Sequence, residues 1–216
     1  GGLFDRWHSF LPSLTKVRTI PEPALQLIRE CDSDGEVTKL GILRAYHTRH
    51  GAGPFVTECP AMAKQLPDAT NTDHPWQGAF RVGYFDMVAA KYAIEACRES
   101  LDGLAITCLD RIPSREPWHY CDGYSAPADV VQSGLFQTDG TETIKRMKVS
   151  HETGEEQSGR QEKLGDFLRS CIPSLVSCGK DRLIRTIEEA LNVPVTVTSS
   201  GPTEQDKIET TKKGSS

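Results

Sequence analysis

The chain has 216 residues, of which 37% are hydrophobic, so it is long enough to bury a sizeable core. Its formal net charge of −5 argues against a protein that binds nucleic acid or lipid surfaces broadly, because such binding needs an excess of basic side chains. No apolar run reaches the length of a membrane span, and the N-terminus has no signal-peptide core. The seven cysteines form no CxxC pair, which favours reduced thiols in a cytoplasmic protein.

The first part of the chain alternates between irregular and periodic segments. Residues 1–34 are expected to be irregular apart from a short helix that starts near Ala24. The apolar residues between Leu40 and Tyr46 recur at near-helical spacing, which predicts a second helical segment. Asp86 is a suitable N-cap for a helix running to about Glu99.

A short apolar run at 104–109 predicts a buried strand, and residues 118–124 are a second strand candidate. Residues 125–162 are polar, which predicts a surface excursion or partial disorder. An amphipathic helix is expected over 181–191, followed by a strand over 193–198. The charged tail, 204–216, is expected to be frayed. Helices alternating with short apolar strands are typical of an α/β fold with a parallel sheet.

A loop rich in glycine follows Tyr46 and reads TRHGAGPFVTE over 48–58. Gly51 and Gly53 allow backbone N–H groups to approach a ligand closely. Arg49 adds a cation and His50 adds a titratable ring. Taken from these residues alone, the loop is either a ligand-binding turn or an ordinary surface turn.

Two predicted strands end in polar residues. Asp110 follows the strand at 104–109, and Ser199-Ser200-Gly201 follow the strand at 193–198. Ligands bind outside the carboxyl ends of strands in open α/β sheets. A carboxylate there can accept two hydrogen bonds from the N–H edge of a guanine, and a Ser-Ser-Gly turn can donate to its carbonyl. The alternative is that Asp110 only caps a turn.

The pair His47 and His50 is the one metal-like spacing near the loop. No acidic or cysteine partner follows them at ligand spacing, so no metal site is predicted from these residues.

The loop sequence resembles the TRxGxGPFxTE signature of adenylosuccinate synthetases. The resemblance covers 35–112 and 180–202 and is poor elsewhere. It implies a mostly parallel sheet with flanking helices, similar to P-loop NTPases and incomplete because the N-terminal half of the family fold is absent. The implied organisation is an irregular segment at 1–34, the C-terminal part of the family domain at 35–203, and a flexible tail.

Two further motifs carry the resemblance at the strand ends. Family members have KLD and STGP motifs that hold the guanine of GTP, and this chain has Cys108-Leu109-Asp110 and Ser199-Ser200-Gly201-Pro202. The implied GTP-binding residues are therefore those six positions from 108–110 and 199–201. The chain departs from the family at Cys108, where the family lysine is replaced.

The family also has a TTGRxRR loop, followed by GW(F/L)D, in which arginines bind the carboxylates of aspartate. Here Val82 to Asp86 matches the second part, but the loop itself retains only Arg81 as a cation. Gln and Phe side chains carry no charge, so they cannot replace the bidentate pairing of an arginine guanidinium with a carboxylate. The substrate-binding residues implied by the match are Gln77, Gly78 and Arg81, together with Arg49.

The resemblance implies a GTP-dependent ligase that joins aspartate to IMP in AMP biosynthesis and acts as a homodimer. The sequence has no Gly-rich string ending in Lys-Ser or Lys-Thr, so the phosphate loop, the catalytic residues and the Mg²⁺ ligands are expected in the missing half. This chain alone is expected to be inactive. Two alternatives stay open: a paralogue with a changed amine donor or purine acceptor, and a non-catalytic nucleotide-binding module.

Overall fold

A computed structural model describes residues 8–14, 18–31, 35–68, 71, 73, 75–76, 78–97, 101–113 and 117–210. Six helices lie in these ranges: α1 (Glu22–Glu30), α2 (Pro60–Gln65), α3 (Met87–Ala96), α4 (Ala128–Val131), α5 (Glu155–Ser170) and α6 (Leu183–Leu191). Eleven strands lie there too: β1 (Leu40–Arg44), β2 (His47–His50), β3 (Phe80–Gly83), β4 (Phe85–Asp86), β5 (Gly103–Thr107), β6 (Trp118–Ser125), β7 (Phe136–Thr138), β8 (Ile144–Met147), β9 (Ile172–Cys178), β10 (Val195–Ser199) and β11 (Lys207–Glu209). Within the described ranges, every helix is too short or too polar to cross a membrane.

The strands that precede Asp110 and Ser200 belong to a four-stranded sheet with the order β1-β5-β10-β11. Its first three strands run parallel, and β11 pairs antiparallel with β10. One face of this sheet packs against α3 and α6, with Leu104 and Ile106 of β5 buried beneath Leu183 and Ile187 of α6. The parallel strands therefore all end at one edge of the sheet.

The second half of the molecule is a mixed sheet in the order β4-β6-β8-β7, with β9 on the other side of β6. It has its own core, in which Phe136 and Ile144 pack with Leu164 of α5. Helix α3 lies between the two cores: Met87 is buried in the first and Val88 in the second. A short antiparallel ribbon, β2–β3, joins the sheets.

The structure confirms the predicted α/β class, with a mostly parallel sheet and flanking helices. Helix α3 begins where predicted, because the Asp86 carboxylate accepts a hydrogen bond from the Ala89 N–H (3.0 Å). Helix α6 ends at Asn192, which adopts a left-handed conformation (φ 54°), as its C-terminal position requires.

Three predictions about local structure are wrong. Leu40 to Arg44 form strand β1 and not a helix, because pairing with β5 decides the conformation of a short apolar run whose spacing suits either structure. The region 125–162 is not a polar excursion, since it contributes α4, β7, β8 and the start of α5 to the second core. The tail is ordered as far as β11, which pairs with β10; residues 211–216 lie outside the described part.

Candidate functional site

The two predicted guanine-binding segments lie at the same edge of the four-stranded sheet. Strands β5 and β10 are parallel neighbours. Asp110 lies in a 3₁₀ turn, Leu109–Arg111, that follows β5 and contacts β10, and Ser199 is the last residue of β10. Because neighbouring parallel strands end together, a ligand beyond this edge meets both segments. Their role in binding guanine stays a prediction.

The chain enters the Asp110 turn through an unusual backbone conformation. Cys108 has a φ of 61°, in the left-handed region that residues other than glycine rarely adopt. This reversal directs Leu109 against the core and leaves Asp110 exposed. Cys108, which replaces the family lysine, is therefore half-buried at the base of the turn, and the Asp110 carboxylate is accessible to solvent.

The Ser199–Gly201 turn is braced by the segment that the sequence predicted to be frayed. The Ser199 hydroxyl donates to the Gly201 carbonyl (3.0 Å), and the Ser200 N–H donates to the Asp206 carbonyl (3.0 Å). The Lys207 ammonium also donates to the Gly201 carbonyl (2.7 Å). A Cβ on Gly201 would lie 2.5 Å from the Asp206 carboxylate, so a larger residue there would displace that carboxylate. The turn is held rigid, with the Ser200 side chain exposed.

Arg49, predicted to bind substrate, is buried beneath the signature loop. Its Nε donates to the Ala52 carbonyl (3.1 Å) and its Nη2 to the Ser13 carbonyl (2.8 Å). Gly53, at φ 116°, makes room for it, because a Cβ there would lie 2.1 Å from Arg49 Nη2. Burial, with the nearby charges of Arg81 and Arg169, lowers the pKa of Arg49 to about 10, so it remains a cation at pH 7. These contacts fold the loop around the guanidinium.

Arg81 lies beside Arg49 on the β2–β3 ribbon and is also engaged within the loop. Its Nε donates to Glu58 Oε1 (2.9 Å) and its Nη2 to Glu58 Oε2, a bidentate pair. Its Nη1 donates to the carbonyls of Gly51 and Gly53, each at 3.0 Å. The hydrogen bond from Arg81 lowers the pKa of Glu58. A substrate carboxylate at Arg81 would have to take the place of Glu58.

Of the other two predicted substrate-binding residues, Gly78 is exposed and approaches the signature loop. A Cβ on it would lie 2.9 Å from Gly51 Cα, and its φ is 74°. The Gly51 N–H donates to the Ala79 carbonyl (2.9 Å), which holds this segment against the signature loop. Gln77 lies outside the described residues.

A cavity of about 190 Å³ lies between the signature loop, β1 and α3. Its lining is mostly apolar but includes the Asp86 carboxylate, to which the Tyr124 hydroxyl donates (2.9 and 2.8 Å to its two oxygens). Burial raises the pKa of Asp86 to about 6 and raises that of Tyr124 as well. Sequence reasoning assigned Asp86 only as a helix cap and missed its partner.

The two loop histidines have different surroundings. His47 packs on the Phe85 ring, and burial lowers its pKa to about 4, so it is neutral at pH 7. His50 contacts Asn71 through Nε2 (3.2 Å). In the described part of the chain, no three His, Cys, Asp or Glu side chains come together in a way that could hold a metal ion.

Sequence reasoning also missed Glu58 as the partner of Arg81, although the residue stands in the signature itself. It also missed Lys207 and Asp206, which brace the Ser199–Gly201 turn. Their position depends on the pairing of β11 with β10, and no local sequence pattern predicts that pairing. A carboxylate four residues after a Gly-Pro turn, on a segment that faces an arginine-bearing strand, is the signal that points to Glu58.

Comparison with known proteins gives a consistent result. The sequence profile of the adenylosuccinate synthetase family matches residues 1–208. The adenylosuccinate synthetase of Thioalkalivibrio sulfidiphilus is 34% identical over 175 residues, and that of Edwardsiella ictaluri is 31% identical over 175 residues. Each match covers 78% of this chain and 37% of the relative. This chain therefore corresponds to a little over a third of those proteins.

The fold agrees with this assignment. The structure of fully ligated adenylosuccinate synthetase from Plasmodium falciparum superposes with a TM-score of 0.68 at 15% identity, covering 98% of this chain and 48% of that one. Because the family profile matches residues 1–208 and relatives at 31–34% identity cover 78% of the chain, the chain belongs to the adenylosuccinate synthetase family.

Proposed function

We propose that this chain is the C-terminal part of a GTP-dependent ligase that joins aspartate to IMP through a new C–N bond, in the synthesis of AMP. The observation that carries the proposal is the placement of Asp110 and the Ser199–Gly201 turn at one edge of the four-stranded sheet. The proposed protein is cytoplasmic and acts as a homodimer.

In this proposal the chain supplies the guanine pocket. The Asp110 carboxylate accepts hydrogen bonds from N1–H and the exocyclic amine of the base, and the exposed Ser200 hydroxyl donates to the base carbonyl. Cys108 lies at the base of the turn in place of the family lysine. The braced turn fixes these groups before the nucleotide binds, which lowers the entropic cost of binding.

The amine-donor side is formed by the signature loop, with Arg81 as the carboxylate-binding cation, Arg49 beneath it, and Gly78 and Gln77 in the adjoining segment. GTP transfers its terminal phosphoryl group to the 6-oxygen of IMP, and the amine of the donor then displaces phosphate. The Mg²⁺ ligands are proposed to lie in the part of the family domain that this chain does not span. The isolated chain should not turn over substrate.

The sharpest test changes the hydrogen-bonding pattern of Asp110. In the chain joined to the remaining portion of a family domain, Asp110→Asn replaces one acceptor with a donor. GTP-supported ligation should fall about 10- to 100-fold in kcat/KM, the range expected for losing a hydrogen bond to a charged group. Because xanthine carries an acceptor where guanine carries an amine, XTP should become a better co-substrate. Product is followed by its absorbance.

Asp129→Asn is the matched control, since it makes the same change at an exposed position on α4. Unchanged GTP use by Asp110→Asn, or an equal loss with both nucleotides, would contradict the guanine-binding role.

A second candidate is a ligase that uses a different amine donor. The observation in its favour is that Arg81 is already paired with Glu58 in a segment that carries no second arginine at the family positions. A screen of amines in the same assay separates the candidates: product with aspartate supports the first, and product with another amine alone supports the second. If nucleotide binds and no amine reacts, the chain functions as a nucleotide-binding module.

A further inference from the structure

A basic side chain lies at the edge of the sheet that forms the proposed guanine pocket. Strand β11 begins where β10 ends, because the two strands pair antiparallel. Lys207, the first residue of β11, lies opposite Ser199, the last residue of β10. Lys207 is exposed, as are Asp110 and Ser200. A cation and an anion are therefore both accessible to a ligand at this edge.

Two backbone carbonyls hold the Lys207 ammonium in place. Its Nζ donates to the carbonyls of Gly201 and Thr203, each at 2.7 Å. The neighbouring Asp206 carboxylate accepts instead from the N–H (2.8 Å) and the hydroxyl (2.6 Å) of Thr203. The ion pairs among the described residues do not include Lys207. An ammonium has three N–H donors, so one donor and the positive charge of Lys207 remain available to a ligand.

The position of this ammonium is fixed relative to the Ser199–Gly201 turn. The Gly201 carbonyl that accepts from Lys207 also accepts from the Ser199 hydroxyl (3.0 Å). The Ser200 N–H donates to the carbonyl of Asp206, the residue before Lys207 (3.0 Å). The lysine and the turn therefore form one hydrogen-bonded unit before any ligand binds, which lowers the entropic cost of binding a base there.

The two charges at this edge complement the hydrogen-bonding edge of guanine. An ionised carboxylate such as Asp110 only accepts hydrogen bonds, and an ammonium such as Lys207 only donates them. Guanine presents N–H donors at positions 1 and 2 and a carbonyl oxygen at position 6, so its donors can meet the carboxylate while its oxygen meets the ammonium. Adenine presents an amine at position 6, which cannot accept a hydrogen bond from a lysine.

We propose that Lys207 determines the recognition of the 6-oxygen of the nucleotide base. Its remaining N–H donates to one lone pair of that oxygen, and the Ser200 hydroxyl donates to the other. The hydrogen bond from the ammonium is charge-assisted and therefore stronger than the one from the hydroxyl, so Lys207 supplies most of the discrimination at position 6. The inference rests on the guanine pocket proposed above and adds a specificity-determining residue to it.

The test compares the binding of three nucleotides to this chain by calorimetry. GTP is compared with 6-thio-GTP, whose sulfur is a weaker acceptor than oxygen, and with ITP, which lacks the 2-amine. The wild-type chain should prefer GTP to both. Lys207→Met should weaken GTP binding about 10-fold, as expected for losing a hydrogen bond from a charged group, and should change 6-thio-GTP binding much less. Lys207→Arg keeps a cationic donor and should restore most of the preference for GTP over 6-thio-GTP.

The matched control is Lys163→Met, which removes an exposed lysine from α5 and should bind all three nucleotides like the wild-type chain. Hydrogen exchange over 199–203 checks that the turn persists in the Lys207 variants. If Lys207→Met weakens GTP and 6-thio-GTP equally, or neither, Lys207 does not read the base and the inference is wrong. The guanine pocket itself still stands in that case, provided that Asp110→Asn lowers the preference for GTP over ITP. A wild-type chain that binds no GTP, or that binds GTP and ITP equally, refutes the guanine pocket and this inference with it.

Discussion

The buried carboxylate of Asp86 gives a prediction that needs only this chain. It is 3% exposed and accepts hydrogen bonds from the Ala89 N–H and the Tyr124 hydroxyl. Burial raises the pKa of Asp86 to about 6, more than these hydrogen bonds lower it. The proton is therefore bound more tightly in the folded chain than in the unfolded one, where an aspartate has a pKa of about 3.9.

The direction of the pH effect follows from this difference. Between about pH 4 and pH 6 the folded chain holds more of this proton than the unfolded chain does, so the contribution of Asp86 to stability falls as pH rises. It is fully present below the unfolded pKa and is lost as pH passes the folded one. A difference of about two units at 1.36 kcal/mol each makes the total about 3 kcal/mol.

Urea unfolding of the wild type and Asp86→Asn, from about pH 4 to about pH 7.5, measures this contribution. The neutral amide cannot titrate, so the free energy of unfolding of the wild type minus that of the variant should fall by about 3 kcal/mol across the range. Subtracting the two curves removes carboxylates such as Glu58, whose lowered pKa has the opposite slope. Asp129→Asn, at an exposed position, should reproduce the wild-type profile. Parallel curves for wild type and Asp86→Asn would refute the reasoning.

Two further predictions concern the packing around the signature loop. Gly53→Ala places a Cβ 2.1 Å from Arg49 Nη2 at φ 116° and should lower the free energy of unfolding in urea by about 3 kcal/mol or more. The control Gly140→Ala, at φ 89° with no atom within 4 Å of its Cβ, should lower it by only about 1 kcal/mol. Equal losses of stability in the two variants would show that the Arg49 side chain moves away from the new Cβ. Trp118→Phe removes the donor to the buried Ala45 carbonyl (2.8 Å) and should cost about 2 kcal/mol by the same measurement; a loss below about 0.5 kcal/mol would mean that water replaces the indole.

The sequence predicted those features that depend on a few neighbouring residues. The cap at Asp86 and the end of α6 at Asn192 are local choices, and each residue has the backbone geometry that its type favours. The meeting of Asp110 and Ser199 at one edge was predictable as well, because it needs only two strand assignments and the rule that parallel strands end together.

Long-range pairing explains the features that the sequence did not predict. Phe136, Ile144 and Met147 are separated by polar residues, so 125–162 contains no apolar run, yet all three are buried once β7 and β8 pair and pack on α3. The apolar spacing of β1 fits a helix or a strand until β5 lies beside it. In each case the free energy that stabilises the strand comes from pairing and packing with residues distant in the sequence. The residue pattern of one segment does not identify those partners.

Arg81 illustrates what a surviving motif residue can and cannot imply. A free arginine would gain a full bidentate pair from a substrate carboxylate, but Arg81 already has such a pair with Glu58 and two carbonyl acceptors. Exchanging one carboxylate for another leaves the Coulomb energy nearly unchanged and exposes Glu58 as an unpaired anion beside the incoming charge. Recognition of a dicarboxylic donor at this position is therefore a competition between Glu58 and the substrate, and its outcome depends on where Glu58 can move. A donor without a second carboxylate meets no such competition, which is the physical reason that the amine screen discriminates between the two ligase proposals.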